Sequence, residues 1–342
     1  MPDQTNILAG SALVVTSINP PNAVMTALRD GARDSGVRFV IIGDTKSPAD
    51  FKLDGSEFLS VDAQRATGLK SAILCPTRHY ARKNIGYLLA IQGGAPLIIE
   101  TDDDNYPRPA FFGTRDRAQK ASVVAAQGWA NLYRYFSDVP IWPRGLPLDT
   151  VNAPLAEFET LTSTTVDCPI QQGLADENPD VDAIYRLLFP LPQNFRADRR
   201  VALAPGAWCP FNSQNTTWWP ETYPLLYLPA YCSFRMTDIW RSFVAHRIAS
   251  ANNWHILFHE STVWQERNEH SLMRDFADEV PGYLNNARIR EILDALTLPA
   301  GAARIPDNLR SCYLALVDAG FIGREEIVLL DAWLEDLAAI AK

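Results

Sequence analysis

The chain has 342 residues, enough to bury a large core in one elaborated α/β domain or two smaller ones. A net charge of −9 with no dense Lys/Arg stripe excludes a general nucleic-acid-binding role. Five scattered cysteines without C-x-x-C spacing exclude a disulfide framework and a cysteine zinc site. With no signal-peptide pattern and no bilayer-length apolar segment, the sequence predicts a cytoplasmic protein lacking a transmembrane segment.

Residues 12–18 are a β-rich run ending in Asn-Pro-Pro, and 22–34 carry helical spacing at Val24, Leu28 and Ala32. Residues 37–42 read as the next buried strand, followed by the loop Gly43-Asp44-Thr45-Lys46, and 58–61 as a third. Strands alternating with helices predict a parallel, Rossmann-like sheet. The loop lacks the second glycine and the spacing of a P-loop, which argues against ATP hydrolysis.

In the stretch 81–104, Ile85, Leu88, Leu89 and Ile91 recur at helical spacing, Gly93-Gly94 stops the helix, and Leu97, Ile98 and Ile99 form a buried strand. Asp102, Asp103 and Asp104 follow at the carboxyl end of that strand, the sheet edge where α/β folds bind ligands. The spacing of Val123, Trp129, Tyr133 and Phe136 predicts a helix over 117–136. Frequent proline, glycine and asparagine over 140–229 predict long loops over a few strands, including 201–203 and 225–228. Thr237 reads as the cap of a helix bearing Ile239, Trp240, Phe243, Val244 and Ile248, and 254–259 as a strand ending on His259. Helical spacing over 266–279, 288–296, 308–319 and 325–341 divides the chain into a main domain, 1–265, and a helical subdomain, 266–342.

Three adjacent carboxylates repel one another, and a divalent cation makes such a cluster tolerable; the alternative is a solvated acidic turn. Asp102 and Asp104, two apart on an extended chain, face the same way and are the preferred ligand pair. Arg82 and Lys83 at a helix start oppose the helix dipole unless an anion binds there, so they read as a phosphate contact or a basic turn. Asp238 reads as a helix-start carboxylate or a general base, and His259 as a strand-end ligand or a structural residue. His270 is a weaker candidate. The run 212–216, Asn-Ser-Gln-Asn-Thr, suits sugar hydroxyls or a turn, and 176–182, DENPDVD, is a second acidic cluster able to satisfy its own backbone. No nucleophile elbow or cysteine-histidine signature is present.

ARKNIG, a helix, a glycine stop and an apolar strand ending in DDD resemble the corresponding region of glycosyltransferases with the GT-A fold. Longer segments, HYARKNIGYLLAIQGGAPLIIETDDDN, WPRGLPL, QQG with PDVD, and PFNSQNT, resemble the STELLO family of glycosyltransferases in the same order, over about 14–278. Plant members are Golgi membrane proteins, and this sequence departs from them in showing no anchor. A fainter resemblance is to the reversibly glycosylated polypeptides, the UDP-arabinopyranose mutases, through DDD, PDVDA, TDIWRSF and Arg144-Gly145-Leu146-Pro147.

The resemblance implies an α/β, Rossmann-like mixed sheet with flanking helices and a carboxyl-terminal helical extension. It further implies transfer of a sugar from a nucleotide diphosphate sugar, UDP-linked, to an unidentified glycan or small-molecule acceptor. Mn²⁺ or Mg²⁺ would sit on Asp102, Asp104 and His259; the donor would meet Thr16, Asp44, Arg82, Lys83, Asp103 and Asn212; Asp238 would be the base. The alternatives are a mutase with Arg144 as glycosyl carrier and a non-catalytic nucleotide-sugar-binding or scaffold protein. Self-association into a homo-oligomer is compatible with all three.

Overall fold

The computed structural model describes residues 8–266 and 271–341; His270 falls outside them. The strands β1 (Ala12–Thr16) and β2 (Arg38–Ile42) are joined by α1 (Ala23–Asp34), which starts where the Asn22 side chain accepts from the Met25 N–H. After β3 (Glu57–Leu59) come the short helices α2 (Val61–Ala66) and α3 (Lys70–Leu74). A 3₁₀ turn, Tyr80–Arg82, runs into α4 (Lys83–Gln92). As the glycine pair predicts, α4 ends there, with Gly94 at φ +72°, and β4 (Ile98–Thr101) leads into the acidic run.

Beyond β5 (Asn105–Pro107) lie β6 (Ala118–Val124) and β7 (Gly128–Trp129), where the spacing predicted a helix. Residues 118–121 alternate between exposed and buried, and Gly128 has φ +103°, so the local period is that of a strand and the backbone breaks any helix. The region read as mostly loop contains β8 (Thr162–Asp167), β9 (Ile170–Asp176), α5 (Ala183–Leu188), β10 (Arg200–Leu203), β11 (Ala207–Trp208) and β12 (Asn215–Trp218). The strand expected at 225–228 is instead the end of a 3₁₀ segment, Pro220–Leu226, whose two prolines cannot donate to a ladder.

The helix α6 (Thr237–Ala251) begins without a side-chain cap: Met236 holds the cap position, and the Thr237 hydroxyl lies 3.8 Å from the Cys232 sulfur. The long β13 (Ile256–Gln265) precedes α7 (Leu272–Asp294), a single helix of 23 residues where two were expected, then α8 (Ile305–Asp318) and α9 (Glu325–Ile340).

The sheet runs β3-β2-β1-β4-β12-β9-β13-β10-β6-β8, with β5 paired to β13. Its first four strands are parallel, β12 is antiparallel to both neighbours, and parallel and antiparallel pairings mix thereafter. Residues of α1 cover one face with Leu13, Val15, Ile41 and Ile99; α4, α6, α8 and α9 share the larger core on the other with Val14, Ile98, Trp218 and Phe258. This is the mixed sheet with flanking helices that the resemblance implies.

One charge interrupts the apolar run of β4. Glu100 is fully buried; its carboxylate accepts from Trp218 Nε1 (2.8 Å), Arg241 Nη1 (2.9 Å) and the Tyr87 hydroxyl, and Arg241 Nη2 lies 2.8 Å away. The pair therefore ties β4 to α4, β12 and α6. Arg241→Ala would strand a buried carboxylate and is expected to lower the unfolding free energy by about 3–5 kcal/mol in urea denaturation. Glu100→Gln with Arg241→Met removes both charges while keeping an acceptor for Tyr87 and Trp218, and is expected to lose less.

Candidate active site

Past the end of β4 the acidic run divides. The Asp103 carboxylate accepts from Ser17 Oγ (2.6 Å) and Asn19 Nδ2 (3.1 Å), and its carbonyl accepts from Asn22 Nδ2 (2.8 Å), so it fastens the β1–α1 loop. Asp102 and Asp104 instead line a common cavity of about 120 Å³, as their i, i+2 spacing predicts. Arg144, Asp180, Asn212, Arg235 and Asp238 line the same cavity.

Lys83 lies beneath Asp102, with no exposed side-chain surface, and its ammonium donates to the Thr101 carbonyl (2.7 Å), the Tyr80 hydroxyl (2.8 Å) and Asp102 Oδ1 (3.2 Å). Tyr80 also reaches Asp102 Oδ1 (3.0 Å). Burial pushes the Asp102 carboxyl up despite Lys83, and burial with the adjacent Asp102 charge pushes Asp104 up to about 7. Both carboxyls therefore keep a proton to higher pH than a free carboxyl does.

Arg144 is clamped between two carboxylates. Its Nε and Nη2 donate to Asp180 (2.7 and 2.9 Å), and Nη1 and Nη2 donate to Asp238 (3.1 and 3.0 Å); Nη1 also meets the Arg235 carbonyl. Burial alone would raise the Asp238 carboxyl, but Arg144 outweighs it and holds Asp238 below the ordinary carboxylate range. The two carboxylates in turn hold the guanidinium proton, against burial, well above the ordinary arginine range. Asn212 Nδ2 donates to Asp180 (2.8 Å), and Arg235 is steadied by Glu279 (2.7 Å).

Four expected site residues lie elsewhere. Arg82 is buried, and its guanidinium donates to Gln64 Oε1 (2.7 Å) and to the carbonyls of Cys75 (2.8 Å) and Ala72 (3.4 Å); it staples α3 to α4 and presents nothing to the cavity. Asp44 sits at the same sheet edge, but its oxygens accept from the N–H groups of Thr45 (2.6 Å) and His79 (3.0 Å), and Thr16 ends β1 beside it; neither lines the cavity. His259 shares the sheet face of Leu257, away from α6, next to Arg115 and the Glu260 carbonyl. Burial and the Arg115 charge push its imidazole down to about 4.

Among the described residues no group of three or more His, Cys, Asp or Glu is arranged to hold a metal. Two carboxylates suffice for Mg²⁺ or Mn²⁺ when waters and substrate phosphates complete the shell, so the hard oxygen donors of Asp102 and Asp104 fit such an ion. Residues that sequence reasoning passed over include Asp180, inside the acidic run taken as a self-satisfied loop, and Arg235, three residues before Asp238. The paired PDVD and TDIWRSF segments were the available signal. All five cysteines are unpaired, four of them buried, and no helix among the described residues is long and apolar enough to cross a membrane.

A mixed α/β sheet thus presents two carboxylates beyond a parallel strand, and a clamped arginine lines the same cavity. Residues 235–341 match the family described as STELLO glycosyltransferases. "Probable glycosyltransferase STELLO2" of Arabidopsis thaliana is 28% identical over 325 residues, covering 89% of this chain and 42% of its own length. "Probable glycosyltransferase STELLO1" of the same plant is 26% identical over 364 residues, covering 99% and 46%. The chain is therefore related to the STELLO glycosyltransferases, and it spans less than half the length of these curated relatives. Among solved structures, M. tuberculosis glucosyl-3-phosphoglycerate synthase aligns with a TM-score of 0.38 at 12% identity over 81% of each chain.

Because His259 lies off the cavity, His259→Gln is expected to titrate with Mn²⁺ and UDP in calorimetry as the unaltered chain does. Its folded value lies below the ordinary 6.5, so its contribution to stability is present above 6.5 and lost as pH falls toward 4. Replacing it should flatten the fall in stability across that window, measured by denaturation at each pH.

Proposed function

We propose that the chain is a metal-dependent glycosyltransferase that moves a sugar from a nucleotide diphosphate sugar, UDP-linked, to an acceptor hydroxyl. The observation that carries this reading is one cavity shared by Asp102, Asp104, Arg144 and Asp238. Asp102 and Asp104 would hold Mn²⁺ or Mg²⁺, which as a Lewis acid stabilises charge on the departing diphosphate. Lys83 fixes the Asp102 carboxylate from the protein side. Asp103 supports the donor site indirectly, by ordering the β1–α1 loop.

Asp238 takes the acceptor proton as the hydroxyl oxygen bonds to the anomeric carbon; the sugar–phosphate bond breaks and its electron pair leaves with the nucleotide. Such a displacement inverts the anomeric centre. Arg144 keeps Asp238 ionised and oriented, with Asp180 as its second support. Its three guanidinium nitrogens are all engaged by the two carboxylates, which favours this positioning role over that of a covalent glycosyl carrier.

Calorimetric titration with UDP should show binding that requires Mn²⁺ and that Asp102→Ala or Asp104→Ala abolishes; equal binding without metal overturns the reading. With radiolabelled UDP-sugars, Asp238→Asn is expected to cut turnover by about 10²–10⁴-fold with UDP affinity preserved. Label left covalently on the protein, and absent from Arg144→Ala, would instead identify the mutase reaction.

A further inference from the structure

Phe234 is 55% exposed in a chain whose other phenylalanines mostly belong to its cores, and the next residue, Arg235, lines the cavity. Its ring meets His79 edge-to-face at 5.7 Å between centroids and Tyr80 at 6.5 Å. Tyr80 in turn touches Asp102 and the Ser213 hydroxyl. His79 is fixed by its own N–H to Asp44 and by its Nδ1, which accepts from the Ala81 N–H (3.0 Å).

The segment bearing Phe234 is anchored on both sides. The Ser233 hydroxyl meets the Asp278 carbonyl, and Arg235, which lines the cavity, is paired with the buried Glu279. The ring is therefore a held ledge, reached from the Asp102 carboxylate across the width of one tyrosine. A flat π-system stacks on such an exposed ring with little loss of conformational freedom on the protein side.

Resting on the diphosphate reading above, we propose that Phe234 is the stacking platform for the nucleobase of the donor, with His79 and Tyr80 backing the ring and Asp102 and Asp104 at the diphosphate end. The ring acts on binding and positioning and takes no part in bond exchange. An aromatic face reads the π-surface of any base, so this contact supplies affinity and orientation, and base identity is read by hydrogen bonds elsewhere.

The test is calorimetric titration of the full chain with UDP, GDP and inorganic pyrophosphate in Mn²⁺, comparing wild type with Phe234→Ala and Phe234→Trp. Phe234→Ala is expected to weaken the tighter nucleoside diphosphate about tenfold, Phe234→Trp to restore it, and pyrophosphate affinity to be equal in all three. Unchanged nucleotide affinity in Phe234→Ala overturns the platform, and so does a parallel loss of pyrophosphate, which reports a damaged cavity. If wild type binds pyrophosphate and neither nucleotide, the platform alone falls. If it binds none of the three, the diphosphate reading falls, and the platform with it.

Discussion

The buried contact between Glu100 and Arg241 organises everything around the site. Glu100 lies two residues before Asp102, and Arg241 lies one helical turn after Asp238, so one ion pair ties the strand leading to Asp102 to the helix that carries Asp238. Two charges removed from water repay their desolvation only when the remaining donors and acceptors are satisfied; here Tyr87 and Trp218 satisfy the carboxylate, whereas Arg241 Nε finds no hydrogen-bond partner among the described residues. Trp218 also lies under the Arg241 guanidinium at 5.0 Å. A pair of this kind contributes definition of geometry more than net stability.

The same rule governs the cavity. Lys83 and Arg144 are each sequestered by acidic partners and backbone carbonyls, so neither is a loose cation waiting for phosphate. What they do is set which carboxylates stay ionised: Asp238 is held low by Arg144, while Asp104 rises to about 7 under burial and its neighbour's charge. The cavity thus holds Asp238 below the ordinary carboxylate range and Asp102 and Asp104 above it.

The amino-terminal half of the fold was legible because its signals are local. Alternating β-rich runs, the helix stop at Gly93-Gly94 and the apolar strand before Asp102 each depend on a few neighbouring residues, and Asp102 and Asp104, two apart, line one cavity. What failed depended on partners far along the chain. Strand β6 was hidden because Val123, Trp129 and Phe136 mimic helical spacing, and its identity comes from pairing with β8 and β10. Arg82 looked like a phosphate ligand until the carbonyls of 72 and 75 were seen to fold over it. The polar run 212–216 suited sugar hydroxyls or a turn, yet Asn215 and Thr216 lie inside the sheet, satisfied by β9 and by Thr262. The Asp180 and Asp238 contacts with Arg144 span 36 and 94 residues, a distance over which no spacing rule operates.

The central claim is that Asp102 and Asp104 form the metal and diphosphate end of a donor site facing Arg144 and Asp238. Its most direct measurement is a crystal structure with Mn²⁺ and UDP, in which anomalous scattering locates the ion. The account predicts manganese on the Asp102 and Asp104 carboxylates with the diphosphate beside it in the same cavity. Manganese bound elsewhere, or UDP seated away from the cavity, would contradict it.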